Sequence, residues 1–158
     1  MLINEFPFKA VLWDMDGTLI DSEPIWIDEE RRIMESLGAT WSQEDALYCI
    51  GGPMSRVDAY MRSKLPENRR EEFGEYALTK ILLESMVERL KQKVPFAPGA
   101  KALIEQMNEA KIPMALVTAS SRAIMEGALA SIGKHYFKTT ISDNDVERSK
   151  PDPQGYQL

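Results

Sequence analysis

Residues 9–22 read KAVLWDMDGTLIDS. The segment from Lys9 to Trp13 is a short apolar strand signal that ends in Asp14, and the turn-like DGT at 16–18 follows it. A short, continuously apolar run suits a buried strand of a parallel sheet. Two more such signals lie downstream. Ile112–Val117 ends in Thr118, and a weaker one around Phe137–Ile141 ends in SDND. Helical patterns separate them. Ala100–Ala110 follows Pro98-Gly99 and places Leu103, Ile104 and Met107 on one face. Arg122–Ile132 follows Ser120-Ser121, both good N-cap candidates. Strands alternating with helices predict an α/β domain built on a parallel sheet.

The stretch from Ser22 to Val94 breaks this alternation and reads as helix almost throughout. Ser22 followed by Pro24 marks a helix start, and Trp26, Ile33, Met34 and Leu37 share a face up to a stop at Gly38. Ser42 and Asp45 have the spacing of an acidic capping box. Leu83, Met86, Val87, Leu90 and Val94 repeat as an amphipathic helix, and Pro95 and Pro98 mark the return. The expected organisation is a discontinuous α/β core, residues 1–21 and 95–158, interrupted by an all-α unit at 22–94. The core carries three strand signals, and SKPDPQGYQL reads as a helix that stops after about one turn. The expectation is a chain that stops in the middle of a fold.

Of the 158 residues, 44% are hydrophobic and 28% charged, the profile of a soluble globular protein. No run approaches the ~20 apolar residues of a membrane span, and the first 14 residues lack the pattern of a secretory signal. A cytoplasmic location is the expectation. A net charge of −6 argues against a nucleic-acid partner. One histidine, His135, weakens schemes built on a Ser-His-Asp triad, and one cysteine, Cys49, builds neither an internal disulfide nor a cysteine-based zinc site.

Polar residues stand at or beyond the end of each strand signal: Asp14 and Asp16, then Thr118, then Lys150. In open parallel α/β sheets, ligands bind outside the carboxyl ends of the strands, so these residues are expected to converge. Two carboxylates so close repel each other unless a cation neutralises them or one is protonated, and oxygen ligands are those Mg²⁺ prefers. One acid can attack as a nucleophile while the other serves as general acid and base. With a hydroxyl from Thr118 and a charge from Lys150, the set suits phosphoryl transfer.

WDMDGTLIDSEP at 13–24 resembles the first motif of the haloacid dehalogenase-like hydrolases, an apolar strand followed by DxDGT. LVTASS at 116–121 is similar to their second motif, and SKPDP at 149–153 to their third. The helical insertion at 22–94 resembles their α-helical cap, and PFAPGA at 95–100 the segment that rejoins the core. The resemblance implies a Rossmann-like core, here truncated at three strands, with an inserted helical cap. It implies a phosphatase of small phosphorylated metabolites, sugar phosphates foremost, acting through an aspartyl-phosphate on Asp14. Asp16 is the implied general acid and base. Asp14 and the Asp16 carbonyl are the implied Mg²⁺ ligands. Thr118 and the backbone at Ala119 are implied to hold phosphoryl oxygens, Lys150 to offset their charge, and Arg56, in GGPMSR, to touch substrate from the cap. The family's fourth motif, an acidic pair that completes the metal site, has no counterpart here. Asp143, Asp145 and Glu147 do not match its position.

Plainer readings stand beside these. An acidic turn after a strand, a strand-end threonine and a surface lysine are each common, and only their combination selects the catalytic reading. Arg56 reads somewhat more readily as a surface helix arginine than as a substrate contact. The run Glu67–Glu75 reads as a solvated helix face, and Cys49 as a small apolar residue. The alternative functions are a phosphomutase of the β-phosphoglucomutase type, a signalling receiver domain, and a catalytically incomplete fragment. The helical insertion and the DxDGT turn count against the receiver. A monomer is the expected state.

Overall fold

The computed structural model describes residues 7–158; the first six, part of the segment 1–21 that the sequence assigns to the core, lie outside it. In chain order the elements are β1 (Val11–Trp13), α1 (Glu23–Ser36), α2 (Gln43–Cys49), α3 (Met54–Lys64), α4 (Ala77–Gln92), α5 (Ala100–Glu109), β2 (Met114–Val117), α6 (Arg122–Ile132), β3 (Thr139–Ile141) and α7 (Gln154–Gln157). Short 3₁₀ turns fill Glu67–Glu72, Lys134–Tyr136 and Asp143–Asp145. The chain divides into two compact units, one formed by the segment up to Ser22 with Arg89–Leu158, the other by Glu23–Glu88.

The first unit holds a three-stranded parallel sheet in the order β1-β2-β3. Leu12 pairs with Ala115, and Leu116 with Thr140. All four residues of β2 are buried. Successive strand side chains point to opposite faces, so both faces of the central strand are covered. β1 lies at the edge: Trp13 is buried, whereas Leu12 is 49% exposed. The three strands are two residues shorter at their starts than the apolar runs suggest, because β2 and β3 begin only where the partner register begins. Around the sheet, Ile104 and Met107 of α5 and Ile124, Met125 and Ala128 of α6 are buried. Leu103, expected on the same face of α5, is exposed.

In the helical unit the capping box of α2 forms as expected. Ser42 Oγ accepts from the Asp45 amide at 3.2 Å, and the Asp45 carboxylate accepts from the Ser42 amide at 2.8 Å. The buried face of α4 is Leu78, Leu82, Met86 and Leu90, spaced by four. Leu83 and Val87 are half-buried on its flank, and Val94 lies beyond the helix end. Leu78 and Leu82 lie outside the predicted stripe, which begins at Leu83 and shares Met86 and Leu90 with the buried face. The start of α4 is tied down from α3: buried Asp58 accepts from the amides of Tyr76 and Thr79 at 3.0 and 3.2 Å. The charged 67–75 run is exposed for the most part, yet Arg69 donates to the carbonyl of Leu37 and Arg70 to those of Leu65 and Ser63. These two arginines therefore close loops as well as face solvent.

Candidate active site

The site grows from the turn after β1. The amides of Thr18, Leu19 and Ile20 all point at the carbonyl of Met15, and the Gly17 amide donates to Ile20 O at 2.8 Å. Gly17 sits at φ +73°, a conformation that costs glycine little and L side chains more. This tight turn leaves Met15 buried and presents Asp14 and Asp16, both half-buried, on either side of it.

Lys150 reaches Asp14 from the loop after β3. Its Nζ donates to Asp14 Oδ1 at 2.7 Å and to the carbonyl of Val117, the last residue of β2, also at 2.7 Å. The loop is braced on itself: Gln154 Oε1 accepts from the amides of Glu147 and Arg148, and Arg148 pairs with Asp152 at 2.7 Å. The ring of Tyr156 lies 5.0 Å from Lys150 Nζ. Burial opposes the charge on Lys150, but its contacts with Asp14 and Tyr156 outweigh it and hold the ammonium above the ordinary lysine range. Asp14 Oδ2 accepts from Thr18 Oγ1 at 3.2 Å.

Thr118 follows β2, its amide donating to Ile141 O at 2.9 Å. Its hydroxyl stands 3.5 Å from Asp16 Oδ2 and accepts from the Ser120 amide at 3.0 Å. Asp16 carries two shorter contacts: Ser22 Oγ donates to Oδ1 and Ser120 Oγ to Oδ2, each at 2.6 Å. Four of the residues singled out from sequence, Asp14, Asp16, Thr118 and Lys150, are thus brought together by direct contacts. Ala119 is exposed between Thr118 and Ser120. Arg56 stands on α3 in the helical unit, where its guanidinium donates to Tyr48 O at 3.1 Å and lies 5.2 Å from the Tyr48 ring centroid. Asp145 is engaged with Ser142 and Arg122 instead of facing the site.

Thr18, Ser22 and Ser120 went unassigned to the site at the sequence level. Ser22 and the Ser120-Ser121 pair read as helix starts, and that role is filled for α6 by Ser121, whose Oγ accepts from the Ile124 amide. A doublet of candidate caps before one helix leaves one hydroxyl spare, and this was the available signal for Ser120. Chemically, the constellation offers one carboxylate beside a fixed ammonium and a second held by hydroxyls, both carboxylates half-buried. That is a set for taking up and passing on a phosphoryl group.

The sequence model of the haloacid dehalogenase-like hydrolase family matches residues 11–158. The chain is 27% identical over 153 residues to validoxylamine A 7′-phosphate phosphatase of Streptomyces hygroscopicus subsp. limoneus, covering 94% of this chain and 68% of that protein. It is 30% identical over 151 residues to hexitol phosphatase B of Escherichia coli K12, covering 93% of this chain and 66% of that protein. Among solved structures, a Thermotoga maritima chain assigned as a β-phosphoglucomutase superposes with a TM-score of 0.77 at 25% identity, covering 94% of this chain and 68% of that one. The chain therefore spans about two thirds of the length of the relatives it matches.

Proposed function

The chain belongs to the haloacid dehalogenase-like hydrolases, as a phosphoric monoester hydrolase of their sugar-phosphate phosphatase group, and we propose that it dephosphorylates a small phosphorylated sugar through a phosphoryl group carried on Asp14. The observation that carries this reading is the contact of Lys150 Nζ with both Asp14 and the end of β2. It puts a fixed positive charge where oxygen charge develops as Asp14 attacks phosphorus.

In the first half-reaction an Asp14 oxygen bonds to phosphorus and the ester P–O bond breaks. The electron pair goes to the leaving sugar oxygen, which takes a proton from Asp16. In the second, water attacks the same phosphorus, the bond to Asp14 breaks, and Asp16 takes the proton that water loses. Thr118 and the backbone at Ala119 hold phosphoryl oxygens, and Lys150 offsets their charge. Such a role for Asp16 favours an alkoxide leaving group over a halide, which departs without a proton.

The donors fit Mg²⁺ chemically. The Asp14 carboxylate and the Asp16 backbone carbonyl are hard oxygen donors on two half-buried residues. Mg²⁺ keeps several waters and uses one or two carboxylates with substrate phosphate, so this donor type suits it. Those two oxygens would hold the ion, and it would neutralise charge on the phosphoryl group. The helical unit, Glu23–Glu88, would act as the cap, with Arg56 as its contribution to substrate selection. A net charge of −6 disfavours nucleic acid as partner, and no described helix is long and apolar enough to cross a membrane.

A phosphomutase is the second reading, favoured by the likeness to the Thermotoga maritima chain. The test is phosphate release from hexose and hexitol phosphates by this chain, with Mg²⁺ and after chelation. Metal-dependent release supports the phosphatase; interconversion of sugar phosphate isomers without net release supports the mutase. Absence of both contradicts the proposal.

A further inference from the structure

Asp16 is held at both ends of its carboxylate by hydroxyls from separate parts of the chain. Ser22, only 3% exposed, precedes α1; Ser120 lies in the loop between β2 and α6. Each approaches to 2.6 Å, and they take different oxygens, Ser22 on Oδ1 and Ser120 on Oδ2. Thr118 stands farther off, at 3.5 Å from Oδ2. We propose that Ser22 and Ser120 are positioning residues that together set the orientation of Asp16 for its proton transfers.

This rests on the phosphatase reading above and extends it to two residues that act through their contacts with Asp16. A carboxylate on a flexible stem samples several orientations, and one anchor leaves it free to swing about that contact. Anchors on both oxygens fix the plane of the group. The donor type also matters. An amide N–H only donates, so it cannot accept from the O–H that the neutral acid carries. A serine hydroxyl donates and accepts. When Asp16 carries the proton on one oxygen, the serine there can turn and accept from it while the other still donates. The clasp therefore suits an acid that must hold and release a proton in each cycle. Ser120 is not needed to cap α6, which Ser121 does.

The discriminating measurement is kcat/KM with two kinds of ester. This parameter reports steps up to departure of the leaving group. An alkyl phosphate such as a hexitol phosphate needs a proton at that moment; p-nitrophenyl phosphate needs almost none. In Ser22→Ala and Ser120→Ala, kcat/KM for the alkyl ester should fall about tenfold or more while that for the aryl ester falls by less than about threefold. Ser120→Thr, which keeps a hydroxyl, should restore most of the alkyl rate. The aryl rate also reports that each variant is folded. Equal losses on both esters, or no loss on the alkyl ester, overturn the positioning role and leave the phosphatase standing. A wild-type chain that cleaves neither ester overturns both.

Discussion

Asp14 and Asp16 are the same residue type two positions apart, and the chain gives them opposite surroundings. Asp14 faces an ammonium, with Lys150 at 2.7 Å, whereas Asp16 faces hydroxyls. A nucleophile needs a cation that tolerates the charge it hands to phosphorus, and a proton shuttle needs partners that adapt to either of its forms. The roles implied by the motif order are consistent with this asymmetry. Asp14→Asn should abolish turnover, since an amide cannot form and release the acyl phosphate. Lys150→Ala should lower kcat/KM by about 10²–10³-fold, the usual loss when a preorganised charge partner is removed, with partial recovery in Lys150→Arg. Steady-state kinetics on the purified variants checks both. These residues were legible in sequence because each sits at or beyond the end of a strand signal, on the side of the sheet where side chains from distant segments meet. Thr18, Ser22 and Ser120 were not, because a serine or threonine near a turn is more often explained by local backbone bonding.

At the scale of elements, α6 and the capping box of α2 were legible to the residue, since both rest on local rules of hydrogen bonding. The stripe of α4 was legible in kind but not in phase, because neighbouring apolar positions compete and only packing chooses among them. What periodicity hides altogether is a buried acid. Glu29 and Glu30 of α1 are both buried. Glu29 is paired with Arg32 and Ser85. Glu30 is 5% exposed, and its Oε2 has no hydrogen-bond partner. Burial pushes the Glu30 carboxyl up to about 7 from 4.5, partly offset by the Trp41 indole, and burial, reinforced by Glu30, pushes the Cys49 thiol up to about 12. The sign follows from linkage. Below about pH 4.5 the acid is protonated in both states and costs nothing. Between 4.5 and 7 the unfolded chain gives up the proton while the folded chain keeps it, so stability falls by roughly 3 kcal/mol across that window. Glu30→Gln should flatten this dependence and gain most over wild type near pH 8, as read by urea unfolding at pH 5 and pH 8. An unchanged slope would mean that Glu30 is already ionised in the folded protein. On α4, Leu82→Ala should cost about 2–5 kcal/mol by the same assay, because Leu82 is fully buried.

Across the whole molecule, a small parallel sheet carries the candidate site residues at its strand ends and loops, and a separate helical unit is inserted straight after its first strand. Topology was the most legible level. Three apolar runs, each ending in a polar residue, and one long helical interruption admit few other arrangements. Extent is different: the chain spans about two thirds of its relatives' length. The central claim is that phosphate passes through Asp14, and trapping the phosphoryl group tests it most directly. The chain is mixed with a hexitol phosphate and Mg²⁺, quenched in acid within the first turnover, digested, and read by mass spectrometry. A phosphoryl mass increment on the peptide carrying Asp14, absent in Asp14→Asn, is the predicted result. Phosphate release from the wild type with no increment on that peptide, or release persisting in Asp14→Asn, would contradict it.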